Sequence, residues 1–270
     1  MYKIIFIDID GTLRNDRKEI TEKTKEAIHK VVEKGIYVVI CSGRPREYVE
    51  EASKEALASS IIISCNGGEI YDYRKKETIC MHDLEKEEVI KLWNLAEKYD
   101  TQIIIISNGK RFVRKQTDDQ TDIFLEQPIE KFVMDHPVTQ CVFSSLELER
   151  IRNIKEEINN IKHIEIVNLS KCLVDDKLPK EKPFFLDITR NGTSKGKAIK
   201  KLCEYLKINL KDSIAIGDSF NDLTMFETVG HSVAMGNAPD EIKKMVNEVT
   251  DTNNEDGVAK VLEKLNEEGD

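Results

Sequence analysis

Short, uninterrupted apolar runs recur near both ends of this 270-residue chain, each coupled to a segment with helical periodicity. Lys3 to Ile7, "IYVVIC" (Ile36 to Cys41) and "IIISC" (Ile61 to Cys65) lack a period-two polar alternation. Strands of that kind need cover on both faces, which a parallel sheet between helices provides. The spacing predicts helices between them. Thr21 to Lys34 starts on Thr21 as N-cap, lines up Ala27, Ile28, Val31 and Val32, and stops at Gly35. Pro45 to Ala58 carries its proline in the first turn. The pattern resumes after Lys195: a helix over Gly196 to Leu206, the strand "SIAIG", a helix over Phe220 to Thr228, the strand "HSVAM", then helices over Pro239 to Val246 and Val258 to Leu265.

The middle reads differently. Leu84 to Tyr99 is a long helix, and Asn108-Gly109 between "QIIIIS" and "RFVRK" signals a hairpin. Asp118 to Pro137 is loop-rich. "TQCVFSS", a helix over Leu146 to Asn159, "HIEIVNLS" and "PFFLDIT" then suggest strand, helix, strand, strand. The expectation is an α/β fold: a Rossmann-like parallel core of residues 1–81 and 189–270 with helices on both faces, interrupted by an inserted α+β domain over 82–188.

Composition narrows the function. A net charge of −9 and a pI near 5.3 lack the basic footprint of a nucleic-acid binder. No apolar run approaches the roughly 18 residues of a membrane span, and the first strand meets acid at Asp8, unlike a secretory signal. Six cysteines without a CxxC suggest free thiols and a cytoplasmic location, so the sequon Asn191-Gly192-Thr193 reads as a turn.

Ligands of an open parallel sheet bind outside the carboxyl ends of its strands. Four polar clusters are expected there or on a nearby helix start: Asp8-Ile9-Asp10-Gly11-Thr12, Cys41-Ser42-Gly43-Arg44, Asn191 to Lys195, and Gly217-Asp218-Ser219-Phe220-Asn221-Asp222. Asp8 and Asp10, two apart in an extended backbone, share a face. Their repulsion calls for a cation, and an oxygen-only ligand set favours Mg²⁺, with Asp218 as a natural third ligand. Taken alone, the pair reads equally well as a solvated Asp-Gly turn. Ser42, the Gly43 N–H and the Arg44 cation suit a phosphate, although by themselves they also describe a helix cap. Lys195 alone reads as part of a lysine-rich surface, and Asp218 and Asp222 as helix N-terminal acids. Competing motifs fail on spacing. An EF-hand loop needs glycine at its sixth position, a cysteine-phosphatase loop needs arginine where Glu47 stands, and a GxSxG elbow needs glycine at Ile40 and Arg44. Walker A needs Ser/Thr at Ala198.

Together, in this order, the clusters resemble the haloacid dehalogenase superfamily. More narrowly, they resemble its Cof-type phosphatases, which carry an inserted type-2 (C2B-like) α/β cap between the second and third motifs. DxDGT matches Asp8 to Thr12, Ser42 stands for the second motif, Lys195 for the third, and GDxxND matches Gly217 to Asp222. The resemblance implies a Mg²⁺-dependent phosphatase acting on small phosphorylated metabolites, sugar phosphates or similar, without a nucleic-acid or membrane partner. It implies that Asp8 is the nucleophile that forms an aspartyl-phosphate and that Asp10 is the acid/base. Asp8, Asp218 and the Asp10 carbonyl would be metal ligands. Ser42, Gly43, Lys195, Asn221 and Arg44 would be phosphate or substrate ligands, and Asp222 and Thr12 supporting residues. The cap stretch around Asp118 to Phe132 would contact the leaving group. Two alternatives stand beside this reading: a phosphomutase of the same superfamily, and a non-catalytic metal- or phosphate-binding regulatory module. The intact Asp10 argues against the second, since binding alone needs no acid/base.

Overall fold

In a computed structural model, residues 2–169 and 183–267 are described. They form two compact units, Met1–Cys80 with Ser194–Asp270, and Met81–Thr193.

The first unit begins with β1 (Ile4–Ile7), α1 (Glu22–Glu33), β2 (Tyr37–Cys41), α2 (Arg46–Glu55) and β3 (Ile61–Ser64). Two strands follow that apolar patterning does not announce, β4 (Glu69–Asp72) and β5 (Glu77–Met81). In the second unit come α3 (Lys86–Lys98), β6 (Gln102–Ser107), β7 (Lys110–Val113), β8 (Asp122–Phe124), α4 (Ile129–Asp135), β9 (Gln140–Ser145), α5 (Leu148–Ile158), β10 (Ile164–Leu169) and β11 (Phe184–Arg190). The chain returns to the first unit with α6 (Lys195–Leu206), β12 (Ser213–Gly217), α7 (Leu223–Phe226), β13 (His231–Ala234), α8 (Asp240–Lys243), β14 (Glu248–Val249) and α9 (Gly257–Glu267).

Among the described residues the first unit has one eight-stranded sheet, ordered β14-β13-β12-β1-β2-β3-β4-β5. Pairing is parallel from β14 to β3, while β4 runs antiparallel to β3. Alternate residues of β1 serve opposite faces. Ile5 and Ile7 join a core with Ala27, Ile28 and Val31 of α1, Val49 and Ala52 of α2, and Val258 and Leu262 of α9. Ile4 and Phe6 join another with Ile199 and Leu202 of α6, Met225 and Phe226 of α7, and Ile242 of α8. Each fully buried Ile or Phe contributes about 1.5–3 kcal/mol, which is why β1 tolerates no polar residue before Asp8. The caps are local: the Thr21 side chain accepts from Thr24 N, and Pro45 precedes α2. β1 lies between β2 and β12, where the strand order reverses. That topological switch point is where an open α/β sheet leaves a crevice at its carboxyl edge.

The second unit has a six-stranded sheet, ordered β10-β11-β9-β6-β7-β8. Its core sets Val89, Leu92, Phe132, Ile151 and Ile154 of three helices against Ile103, Ile105, Cys141, Phe143 and Ile188. Asn108 (φ 50°) and Gly109 (φ 83°) make the β6–β7 hairpin, both in the left-handed region such a turn needs. The stretch expected as loop-rich, Asp118 to Pro137, contains β8 and α4, whose few residues are too short for a periodic signal. β11 runs through Arg190, so this unit extends to Thr193, past residue 188. Cys41, Cys65, Cys80, Cys141 and Cys203 form no disulfide among the described residues; Cys172 lies outside them. Among the described residues no helix is long and apolar enough to cross a membrane.

Candidate active site

β1 ends at Ile7, and the chain then turns. Leu13 N donates to Asp8 O (3.1 Å) and Arg14 N to Ile9 O (3.0 Å), so the strand does not continue through the acidic pair. The extended backbone predicted for Asp8 to Asp10 therefore stops early, because the β1–α1 connection begins within the motif. The two carboxylates consequently occupy different surroundings. Asp8 is 4% exposed, whereas the Asp10 side chain keeps about a third of its surface in solvent.

Asp8 faces Lys195, the first residue of α6. Lys195 is 1% exposed, with Nζ 2.5 Å from Asp8 Oδ1 and 2.6 Å from Asp222 Oδ1. Burial pulls the ammonium down, but Asp222 and Asp8 outweigh it and hold Lys195 protonated well above its usual range. Burial pushes the Asp8 carboxyl up to about 8; Lys195 opposes the rise and the charges of Asp222 and Asp218 add to it. Three carboxylates against one ammonium leave a formal −2 when all are ionised. This local excess is the electrostatic reason a cation belongs here.

Asp218 follows β12, the strand beside β1. Its Oδ1 accepts from the Thr12 hydroxyl at 3.1 Å. Gly11 lies against the same carboxylate: a Cβ on it would stand 2.6 Å from Asp218 Oδ2, and its φ of +83° is glycine's territory. Oxygen atoms of Asp8, Asp218 and Asp222 lie within 4.8 Å of one another. Asp222, however, is already committed. Its Oδ1 takes the Lys195 ammonium and its Oδ2 accepts from Asp218 N and Ser219 N, both at 3.0 Å. The donor set therefore fits a hard cation on Asp8 and Asp218, with Asp222 bracing both Lys195 and the Asp218 loop. Asn221, in the 3₁₀ turn Phe220–Asp222 that precedes α7, accepts from the Ser219 hydroxyl at 2.5 Å.

Ser42 follows β2 and is buried; its Oγ accepts from Arg44 N at 3.2 Å. Gly43 N donates to no protein acceptor among the described residues. Arg44 grips Asp10 from two directions, Nε to Oδ2 at 2.9 Å and Nη2 to Oδ1 at 3.2 Å, and Lys18 Nζ adds 3.4 Å to Oδ1. Partial burial raises the Asp10 carboxyl, but the Arg44 and Lys18 contacts prevail and hold it below the ordinary carboxylate value. Arg44, expected to reach substrate or phosphate, is paired with Asp10 here. The Cys41 thiol is buried and pushed far above its usual range by that burial, so it cannot serve as a nucleophile. One neighbour escaped sequence reasoning: Asn66, whose carboxamide lies against Gly43. Its only sequence signal was an Asn-Gly-Gly step that begins two residues past the end of β3.

A cluster of acids at the switch point of an α/β sheet, with a buried lysine bridging two of them, defines a class that sequence comparison identifies. The chain belongs to the haloacid dehalogenase-like hydrolases, whose family profile matches residues 5–262. It is a phosphatase of the Cof-type branch. It is 33% identical over 263 residues to YcsE of Bacillus subtilis (strain 168), a 5-amino-6-(5-phospho-D-ribitylamino)uracil phosphatase, covering 96% of this chain and 94% of that one. It is 30% identical over 297 residues to YwtE of the same organism, which carries the same description, covering 97% and 98%. Among solved structures, a haloacid dehalogenase-like hydrolase from Bacteroides thetaiotaomicron superposes with a TM-score of 0.84 at 28% identity, covering 98% of this chain and 100% of that one.

Proposed function

We propose that this chain hydrolyses small phosphate monoesters in a Mg²⁺-dependent reaction through an aspartyl-phosphate on Asp8. The observation that carries this reading is Asp8 itself: a buried carboxylate at the end of β1, bridged by Lys195 and facing Asp218. In this reading Asp8 attacks phosphorus; the bond from phosphorus to the ester oxygen breaks and Asp10 gives that oxygen its proton. Asp10 then takes a proton from water as the water attacks the acyl phosphate, which releases orthophosphate and restores both acids. Arg44 and Lys18 must loosen their hold on Asp10 for the first step, since they favour its ionised form. An incoming phosphoryl group competes for the same guanidinium, so binding and release of Asp10 are one event. Ser42, the Gly43 N–H, Lys195 and Asn221 hold the phosphoryl oxygens. Asp8, Asp218 and the Asp10 carbonyl would hold Mg²⁺, which when bound supplies positive charge against those oxygens and lowers the cost of ionising Asp8.

The inserted unit serves as the cap that selects among leaving groups. Two relatives are named for a phosphorylated ribityl compound, so phosphorylated polyols and sugars are the first substrates to try. The test is an orthophosphate-release screen over such compounds with Mg²⁺ or with EDTA, run on the wild type and on Asp8→Asn. Release confined to wild type with Mg²⁺ is expected; undiminished turnover by Asp8→Asn would overturn the assignment.

A further inference from the structure

We propose that Asn66 is a positioning residue of the phosphoryl-binding segments: the turn it centres holds Ser42-Gly43 in register with Lys195, at a cost to the stability of the unliganded protein. The inference rests on the phosphatase reading above.

Three successive residues after β3 have positive φ: Cys65 at 52°, Asn66 at 55° and Gly67 at 98°. Glycine adopts this conformation freely and asparagine tolerates it, but a buried cysteine there is strained; such residues cost on the order of 1–3 kcal/mol each. The strain serves a particular geometry. Cys65 N donates to Arg44 O at 3.0 Å and Asn66 N to Ser42 O at 3.1 Å, so the turn is fastened to the Ser42–Arg44 loop on both sides of Gly43. The Asn66 carboxamide fills the space beside Gly43; a Cβ on residue 43 would stand 2.8 Å from Oδ1 and 2.9 Å from Nδ2. On its other side the turn abuts the start of α6. A Cβ on Gly67 would collide with the Ser194 carbonyl and stand 3.0 Å from Lys195 N. One turn thus touches the backbone of both segments proposed to hold the phosphoryl group.

The side chain is the informative part. Asn66 is 3% exposed, and neither its Nδ2 nor its Oδ1 has a partner among the described residues. Burying an amide unpaired costs about 1–3 kcal/mol. If the position served packing alone, glycine would fit the backbone better and bury no polar atoms. The carboxamide instead packs against Gly43, whose N–H donates to no acceptor among the described residues and is left for a phosphoryl oxygen in the phosphatase reading.

The experiment compares wild type, Asn66→Gly and Asn66→Asp by three measurements. These are melting in EDTA without phosphate, calorimetric affinity for inorganic phosphate with Mg²⁺, and steady-state hydrolysis of p-nitrophenyl phosphate. Asn66→Gly should melt no lower than wild type while its phosphate affinity falls and its KM rises by about tenfold, the worth of the one hydrogen bond from Gly43 N–H to phosphate that the turn would hold in place, with a smaller change in kcat. Asn66→Asp, similar in shape and tolerant of the same backbone, should lose more affinity because its charge opposes the oxyanion. A lower melting temperature with wild-type affinity and KM in both variants would show a plain structural residue and overturn the proposal. A wild type that neither binds phosphate nor hydrolyses the ester would overturn the phosphatase reading and this inference with it. Wild-type activity with unchanged variants overturns this inference alone.

Discussion

Lys195→Met removes the ammonium that Asp8 and Asp222 share while keeping the aliphatic stem. Nζ lies 2.5 and 2.6 Å from the two carboxylates, and its site is closed to solvent. Deleting one partner of a buried ion pair costs about 3–5 kcal/mol, because the remaining charge keeps its desolvation penalty. Here two acids lose their partner, yet one can relieve itself. Burial already pushes Asp8 up to about 8 against the opposition of Lys195, so it carries a proton at neutral pH in both proteins, and losing the lysine moves its titration higher still. The folded state then binds more protons than the unfolded state above pH 3.8, and stability falls as pH rises through that window. The expected loss is therefore about 3 kcal/mol near pH 7, growing toward about 5 at pH 9, where wild-type Asp8 has ionised beside Lys195 and the variant's Asp8 has no cation to favour that form. At about 2–4 °C per kcal/mol, the melting temperature drops by about 6–12 °C at pH 7. The assay is urea and thermal unfolding in EDTA across this pH range, followed by far-UV circular dichroism, since the single tryptophan, Trp93, reports the second unit. Adding Asp222→Asn removes the orphaned charge and should recover part of the loss in a double-mutant cycle. A loss below about 1 kcal/mol at pH 8 would refute the reasoning. So would a loss that shrinks as pH rises.

Other expectations follow from the same geometry. In EDTA the wild type should lose stability between pH 3.8, the ordinary carboxylate value, and about 8, where the folded Asp8 titrates; Asp8→Asn should flatten that slope and exceed wild type in stability at pH 8. Equal slopes in a calorimetric pH series would exclude Asp8 as the source. Asp10→Asn keeps the backbone carbonyl, so Mg²⁺ affinity by titration calorimetry should hold while kcat falls by about 10²–10⁴; lost metal affinity would contradict the division of labour between the two acids. Gly11→Ala sets a Cβ 2.6 Å from Asp218 Oδ2 at a φ of +83°. It should weaken Mg²⁺ binding and cost about 1–3 kcal/mol of stability, and an unchanged metal affinity would contradict the placement of Asp218 as ligand.

The legible parts of the chain were those whose signal is local. β1, β2, β3 and β12 must be apolar on both faces, and so they stand out as unbroken runs. The caps of α1 and α2 are likewise one-residue statements. β4 was not legible because two of its four residues are acids. Glu69 is buried only because Arg46 Nη1 donates to it at 2.8 Å and the Ser64 hydroxyl at 3.2 Å; Asp72 receives the backbone N–H groups of Arg74 and Lys75. Arg46 and Ser64 belong to other elements, and periodicity has no access to them. β8, α4 and β14 are too short to establish a period.

At the candidate site the division is the same. Local patterning suffices to put these residue types at the carboxyl ends of the strands: Asp8 after β1, Ser42 after β2, Asp218 after β12 and Lys195 at the head of a helix. Each follows an apolar run or a helix signal that can be read without the rest of the chain. Tertiary structure alone decided their pairing. The reversal of strand order around β1 set β12 beside it, and α6 carried the Lys195 ammonium to the shared centre of Asp8 and Asp222, residues 187 and 27 positions away. It also turned Arg44 onto Asp10 and set the Asn66-Gly67 turn between Gly43 and Ser194, because electrostatic and steric contacts depend on distance in space, which a linear pattern does not encode.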